Sequence, residues 1–393
     1  LLSADAVRQA SRYLLVRAER GDYDWEVRLD QLPACADYVA ATIRARYPDL
    51  NVPFHARWRH FVFGGKDLWA ETAAQVAWAD VHARARGEFD LAITSVLLDA
   101  GAGGAWRYQD AATEIVAARS EGLALASLRF FEWGGFSNEP GDPLRADVEA
   151  MSRLDAAQLG DAFQVDDRNP LFGLPGRVRL LNRLAAHVDG RSDLFARAGA
   201  PRPGGLYDEL CARAVNGELP ASAILELLLE ALGPIWEERA SLGSVPLGDC
   251  WGLGGYGYVP LHKLSQWLAY SLIEPLQRAG IKVIEINGLT GLAEYRNGGL
   301  FIDAGVLTPR DPSMMTRMHE VSDPFVVVWR SLTIALLDRI APLVRERLGV
   351  DAEAFPLARV LEGGTWAAGR AIAREKRTDG SPPLLIHSDG TVF

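Results

Sequence analysis

Apolar positions recur at helical spacing over most of the chain. Ser3 is placed to cap a helix over residues 4–20, with Val7, Ala10, Leu14 and Leu15 along one face. The same periodicity predicts helices over 66–86, 89–100, 144–159, 220–239, 260–279 and 324–348. Pro220, Pro260 and Pro324 suit a first helical turn, where a missing N–H costs nothing, whereas Pro342 inside the last helix predicts a kink. Extended runs are few and short, at 281–286, 300–303 and 384–387. Gly280 is placed to close the helix before the first of these, and Asn297-Gly298-Gly299 predicts a tight turn between short extended pieces. Loops rich in Pro and Gly at 139–143 and 198–205 can separate lobes, but no composition shift, internal repeat or low-complexity linker accompanies them. The pattern predicts a mainly α protein: a single large helical domain over 1–393 with small β elements and room for two lobes.

Composition narrows the class of function. With 49% hydrophobic and 23% charged residues over 393 positions, the chain has the balance of an ordinary globular protein. A net charge of −10 disfavours non-specific binding to nucleic acid or an anionic membrane. An anionic small substrate needs only a local basic pocket. Cys35, Cys211 and Cys250 lie far apart and without zinc-ligand spacing, so neither a disulfide framework nor a metal site is expected. The apolar stretch 325–337 is short and interrupted by Arg330, which argues against a membrane span. No leader pattern of charged start, apolar run and small-residue cleavage site is visible, and the cytoplasm is the default expectation.

Four segments concentrate candidate chemistry. Gly252-Leu-Gly254-Gly255-Tyr-Gly257 has the form G-x-G-x-x-G, but no buried strand precedes it and no βαβ series surrounds it. A bare loop approaching a ligand or another segment is the better expectation. In the helix that follows, Lys263, Gln266, Trp267 and Tyr270 share one face beside a stripe of leucines. That face is either a solvated edge or a cation with an aromatic platform, suited to phosphate or ribose. Leu292-Ala-Glu294-Tyr295-Arg296-Asn297-Gly298-Gly299 gathers a carboxylate, a phenol and a guanidinium, with a plain Glu–Arg surface pair as the competing account. In Phe54-His55-Ala-Arg57-Trp58-Arg59-His60-Phe61, an extended backbone would put His55, Arg57 and Arg59 on one face. This predicts a cationic patch for an anion, or else cations paired with the protein's own carboxylates. Asp99, Glu132, Asp249 before Trp251, and Asp389 stand out among apolar or glycine-rich neighbours, though each also suits a cap or turn. Neither G-x-S-x-G, nor a P-loop, nor H-E-x-x-H occurs.

Several segments together resemble the uracil-catabolism family. They are Val52-Pro-Phe-His-Ala-Arg-Trp-Arg-His-Phe61, Ser95-Val-Leu-Leu-Asp-Ala-Gly-Ala-Gly103, Arg119-Ser-Glu-Gly-Leu-Ala-Leu-Ala-Ser127, Pro260-Leu-His-Lys-Leu-Ser-Gln-Trp-Leu-Ala-Tyr-Ser-Leu272, Leu289-Thr-Gly-Leu-Ala-Glu-Tyr-Arg-Asn-Gly-Gly299 and Ser388-Asp-Gly-Thr-Val-Phe393. The resemblance implies a step after opening of the pyrimidine ring: cleavage of a ribosylurea 5′-phosphate to urea and ribose 5-phosphate. A second resemblance, to the queuosine-salvage nucleotide hydrolases, implies a helical fold related to DNA glycosylases. Ala293-Glu294-Tyr295-Arg296 is similar to that family's Ala-Asp-Tyr-Arg motif, with Glu in place of Asp. Lys263 and Gln266 fall on the matching helix, and Asp99 looks like the Asp of its Leu-Asp-Ala.

Breaking an N-ribosidic bond builds positive charge at C1′ and the ring oxygen, so a fixed carboxylate is the central requirement. On that basis Glu294 is expected to be the key carboxylate, with Tyr295 and Asp249 in support. Lys263, Arg57 and Arg59 are expected at the phosphate, and Arg296, Gln266, Asp99, His55, His60, Trp251 and His262 at the rest of the substrate. The expected ligand is a phosphorylated riboside, with no organic cofactor, metal, nucleic acid or membrane. The alternatives are an amidohydrolase attacking the ureido carbonyl and a non-catalytic ligand-binding or assembly protein.

Overall fold

A computed structural model describes residues 1–236 and 239–387. Helices dominate it, and the strands of the described residues pair only in twos, so the protein is mainly α. The chain divides into two compact units. The first gathers Leu1–His55, Arg239–Gln266 and Glu285–His387; the described part of the second is 56–236 and 267–284. Both Pro/Gly-rich loops lie inside the second unit.

The first unit is built around the helix Pro324–Leu348. The Asp323 carboxylate accepts the Phe325 N–H at 3.0 Å, Pro324 occupies the first turn, and Gly349 closes the helix at φ 73°. It continues through Pro342. Every residue from 325 to 337 is buried, so this is a core helix rather than an amphipathic one. The helices Ala4–Glu19 and Leu32–Arg46 both pack on it. Ser3 Oγ caps the first, which buries Val7, Leu14 and Leu15; the second buries Val39 and Ile43. Each such side chain contributes about 1.5–3 kcal/mol by leaving water.

Residues 295–303 depart from expectation. Neither the turn at Asn297-Gly298-Gly299 nor the strand 300–303 forms; both belong to one helix, Tyr295–Asp303, with Glu294 as its N-cap. The glycines serve close packing instead. A Cβ at Gly298 would lie 2.4 Å from the Trp329 indole, and one at Gly299 would lie 3.0 Å from Pro383. The helix Trp366–Lys376 packs on the same element, and a Cβ at Gly369 would fall 2.1 Å from the Arg296 carbonyl oxygen.

In the second unit the expected helices 66–86 and 89–100 are cut differently. A short helix, Leu68–Ala74, ends before Asp80, whose carboxylate then caps Val81–Leu97 by accepting the Ala83 N–H at 2.7 Å. The expected 144–159 helix is two, Val148–Arg153 and Ala156–Ala162, the latter opened by an Asp155/Gln158 capping box. The 220–239 helix is Ala221–Leu232, with Pro220 ending a strand that pairs with Lys282–Ile284. The 260–279 helix is Lys263–Arg278, with Pro260 at the end of a strand. Gly252–Gly257 belongs to an antiparallel hairpin of Cys250–Leu253 and Gly257–Pro260 in the first unit, not to a nucleotide-binding turn.

Candidate functional site

The polar centre of the first unit forms where the glycine hairpin, the start of the 263–278 helix and the core helix converge. Asp249 precedes the hairpin and is buried. Its carboxylate accepts both Arg330 guanidinium nitrogens at 2.8 Å, the Trp251 indole N–H at 2.6 Å and the Lys263 backbone N–H at 2.9 Å. Burial alone would raise its pKa. The Arg330 charge and these hydrogen bonds outweigh that and hold the carboxyl well below its usual range. Arg330 also reaches the Ala293 carbonyl at 3.3 Å, which ties the ion pair to the backbone just before Glu294.

Glu294 is not a loop carboxylate. Its two oxygens accept the backbone N–H groups of Arg296 at 2.7 Å and Asn297 at 2.5 Å, capping the 295–303 helix. Asn297 is held in turn by Thr365 Oγ1 on its Oδ1 at 2.8 Å. Tyr295 and Arg296 follow on the first turn, half-buried, with Arg296 Nη1 donating to the Gly380 carbonyl at 3.0 Å. Gln266 is fully buried and accepts the Thr290 N–H at 3.2 Å, while its Nε2 has no hydrogen-bond partner among the described residues. An amide donor left buried in this way costs about 1–3 kcal/mol, which marks the position for a ligand or water. Lys263, Trp267 and Tyr270 are buried too, so their face is not a solvated edge. His262 adopts φ 50°, its Nε2 lies 3.0 Å from the Leu1 carbonyl oxygen, and burial lowers its pKa.

Residues 57–61 form a 3-10 helix rather than an extended run, so His55, Arg57 and Arg59 do not share a face. The turn closes on the Arg59 N–H, which donates to the Ala56 carbonyl at 3.1 Å, while the Arg57 N–H donates to Ser271 Oγ at 2.9 Å. Each cation also meets its own carboxylate: His55 Nδ1 lies 2.7 Å from Glu362 in the first unit, and Arg59 Nη2 donates to both oxygens of Glu274 at 2.7–2.8 Å in the second. Arg57, fully buried, is 3.2 Å from Asp99, donates from Nε to Ser95 Oγ at 2.7 Å, and stacks its guanidinium 5.5 Å from the Trp267 ring. Ser120 Oγ donates to Asp99 at 2.5 Å, and His60 Nδ1 is 3.3 Å from that hydroxyl. Burial lowers the Arg57 pKa against the pull of Asp99.

The structure thus brings Asp249, Trp251, His262, Lys263, Gln266, Glu294, Tyr295 and Arg296 into the first unit, and Arg57, Arg59, His60 and Asp99 into the second. Asp389 and the motif at 388–393 lie outside the described residues. Glu132 is occupied by Thr72 and Arg129. Sequence reasoning missed Arg330, Glu362 and Thr365. Arg330 carried a signal, since a lone cation inside an apolar run must be paired to be buried. Among the described residues no group of three or more His, Cys, Asp and Glu side chains could hold a metal ion, and no helix is long and apolar enough to cross a membrane.

Over its whole length the chain is similar to two curated proteins. It is 39% identical to Protein urg3 of Schizosaccharomyces pombe, covering 100% of this chain and 98% of that protein. It is 34% identical to Uracil catabolism protein 4 of Lachancea kluyveri, again covering 100% and 98%. A family model described as "Protein of unknown function (DUF1688)" matches residues 1–393, and by that match and those relatives the chain belongs to the DUF1688 family.

Proposed function

We propose that this protein acts in uracil catabolism as an N-ribosyl hydrolase. In this role it takes a ring-opened uridine nucleotide, a ribosylurea 5′-phosphate, and water to urea and ribose 5-phosphate. The name of the Lachancea kluyveri relative supports the pathway. The observation that supports the chemistry is the polar centre of the first unit, where the Asp249–Arg330 ion pair ties the backbone of Lys263, a buried lysine, to the residue just before the helix-capping Glu294, with the buried amide of Gln266 one turn further on.

Glu294 is assigned to C1′. As the C1′–N bond breaks, positive charge spreads over C1′ and the ring oxygen, and a carboxylate already oriented by two N–H groups stabilises it without reorganising. Lys263 holds the phosphate, whose binding energy orients the sugar. Gln266 Nε2 donates to a sugar or ureido oxygen, and Tyr295 and Arg296 flank the ribose. Asp249, saturated by Arg330, Trp251 and the Lys263 N–H, is a positioning residue that fixes the start of the 263–278 helix relative to residue 293. Purified protein with ribosylurea 5′-phosphate tests the assignment. Urea with ribose 5-phosphate supports it, ammonia points to attack on the ureido carbonyl, and absence of turnover points to an assembly role.

A further inference from the structure

Resting on the N-ribosyl hydrolase reading, we infer that His262 and Gln266 form a two-point reader of the ureido group. His262 Nδ1 accepts an N–H of the terminal amino group, and Gln266 Nε2 donates to the ureido carbonyl oxygen.

The role of each atom follows from its neighbours. His262 Nε2 lies 3.0 Å from the Leu1 carbonyl oxygen, which can only accept, so Nε2 carries the proton and Nδ1 is left as a lone pair. Burial lowers the pKa of the ring and keeps it in that neutral form. Gln266 Oε1 accepts the Thr290 N–H at 3.2 Å, which fixes the orientation of the amide and leaves Nε2 as the donor. His262 is 1% exposed and Gln266 0%, and neither Nδ1 nor Nε2 has a hydrogen-bond partner among the described residues. Buried polar atoms are almost always paired, so one acceptor and one donor left open here call for a ligand.

The His262 carbonyl accepts the Gln266 N–H at 2.8 Å, which sets the two residues one helical turn apart. Positions so related are about 5–6 Å from each other at Cβ. A planar O=C–NH₂ edge suits such a gap, its oxygen meeting the donor and its amino group the acceptor. A carboxylate or a phosphate dianion has no N–H or O–H to offer Nδ1.

The turn is held against strain. His262 sits at φ 50°, a left-handed conformation uncommon outside glycine and concentrated at ligand clamps and active sites. Asp249 maintains it: its carbonyl oxygen accepts the Leu261 and His262 N–H groups at 3.0 and 3.1 Å, and its carboxylate accepts the Lys263 N–H. Arg330 locks Asp249 and also reaches the Ala293 carbonyl just before Glu294, so the reader and the carboxylate assigned to C1′ are tied to one ion pair within the first unit.

Exchanging one group of the ligand tests the acceptor. The carbocyclic form of ribosylurea 5′-phosphate, with a methylene for the ring oxygen, keeps its C1′–N bond intact. In its acetamide counterpart a methyl replaces the terminal amino group and removes the N–H meant for Nδ1. In titration calorimetry the wild-type protein should bind the ureide about 10–100-fold more tightly than the acetamide. His262→Gln keeps an amide N–H for the Leu1 carbonyl but places nothing at Nδ1. It should bring the ureide down to the level of the acetamide and leave the acetamide within about 2-fold of wild type. His262→Asn, whose side-chain oxygen can stand where Nδ1 stood, should recover part of the preference. Gln266→Met should weaken both ligands alike, while ribose 5-phosphate, which has no ureido group, binds as before. Equal wild-type affinity for ureide and acetamide, or a preference that survives in His262→Gln, would overturn the reader; the wild-type comparison decides the matter if the variants do not fold. Wild-type protein that shows the preference yet releases no urea from ribosylurea 5′-phosphate would sink the hydrolase assignment and leave the reader standing.

Discussion

At Asp249 the cost of burying a charge and the attraction of a partner are both large, and the partner wins only while it is present. Asp249→Asn leaves Arg330 buried and unbalanced, and should cost about 3–5 kcal/mol of stability. Adding Arg330→Met should restore much of that loss, which urea denaturation of the single and double variants will measure. Protonation does the same work as the mutation. A carboxyl held below its unfolded value of about 3.9 stabilises the fold above that pH and loses the contribution as pH falls through the folded value. Asp90 has the opposite sign. Burial raises its pKa to about 6, against Arg202 and the N–H groups of Ala146 and Gly204. Its contribution is full below about pH 4 and is lost as pH rises through 6, worth up to about 3 kcal/mol. Asp90→Asn should flatten the fall in urea-unfolding free energy between pH 4 and 7, and an unchanged slope would remove Asp90 from the effect. The candidate site was legible where the residue type itself was improbable, as with Asp249 before Trp251. It was illegible for Glu362, because a glutamate in a helical pattern gives no sign that a histidine 307 positions away lies against it.

Among elements, the helix Tyr295–Asp303 joins stability to the proposed chemistry. Glu294→Gln removes the charge facing C1′ and should lower turnover by about 10²–10⁴-fold. Because Glu294 is also the N-cap, the same change should cost about 1 kcal/mol of stability. Glu294→Asp supplies a better capping side chain but draws the carboxylate back by one methylene, so stability should hold while turnover falls. Single-turnover rates and melting temperatures on the same preparations separate the two effects; a Glu294→Gln protein with normal turnover would take Glu294 out of the chemistry. Gly298→Ala and Gly369→Ala push a methyl into Trp329 and the Arg296 carbonyl, and overpacking of this kind costs about 1–3 kcal/mol, visible as a lower melting temperature. These glycines also explain why the segment was misread. In sequence, a glycine that permits a turn and one that permits two helices to touch look the same, and Asn-Gly-Gly favours the first. The helices Ala4–Glu19 and Pro324–Leu348 were legible because their apolar spacing runs over several turns and their starts carry Ser3 and Pro324, whereas Asp80, placed inside an expected helix, gave no sign that it caps one. The 3-10 turn at 57–61 and the π-helical turn that residues 360–365 form have no period of their own to read.

For the molecule as a whole, a net charge of −10 makes any phosphate site a local exception to its surroundings. Lys263→Met should lower kcat/KM for the phosphorylated substrate far more than for the free riboside, and wild-type protein should prefer the phosphorylated over the free riboside. Equal efficiency on both would remove Lys263 from phosphate recognition. Turnover should also survive dialysis against a chelator; stoichiometric zinc or iron lost together with activity would overturn that expectation.

The first unit is stitched from three stretches of chain, and this sets a timetable for its birth. The helices Ala4–Glu19 and Leu32–Arg46 leave the ribosome well before the helix they pack against, which begins at Pro324. About 280 residues must be translated in between, which at roughly 5–20 residues per second is about 14–55 seconds. Through that interval Val7, Leu14, Val39 and Ile43 have no native partner from the core helix. A nascent chain stalled before Pro324 should therefore be a client for holdase chaperones and sensitive to protease over residues 4–46, whereas Val81–Leu97, which packs on Arg119–Glu132 and on residues 203–213, should gain protection earlier.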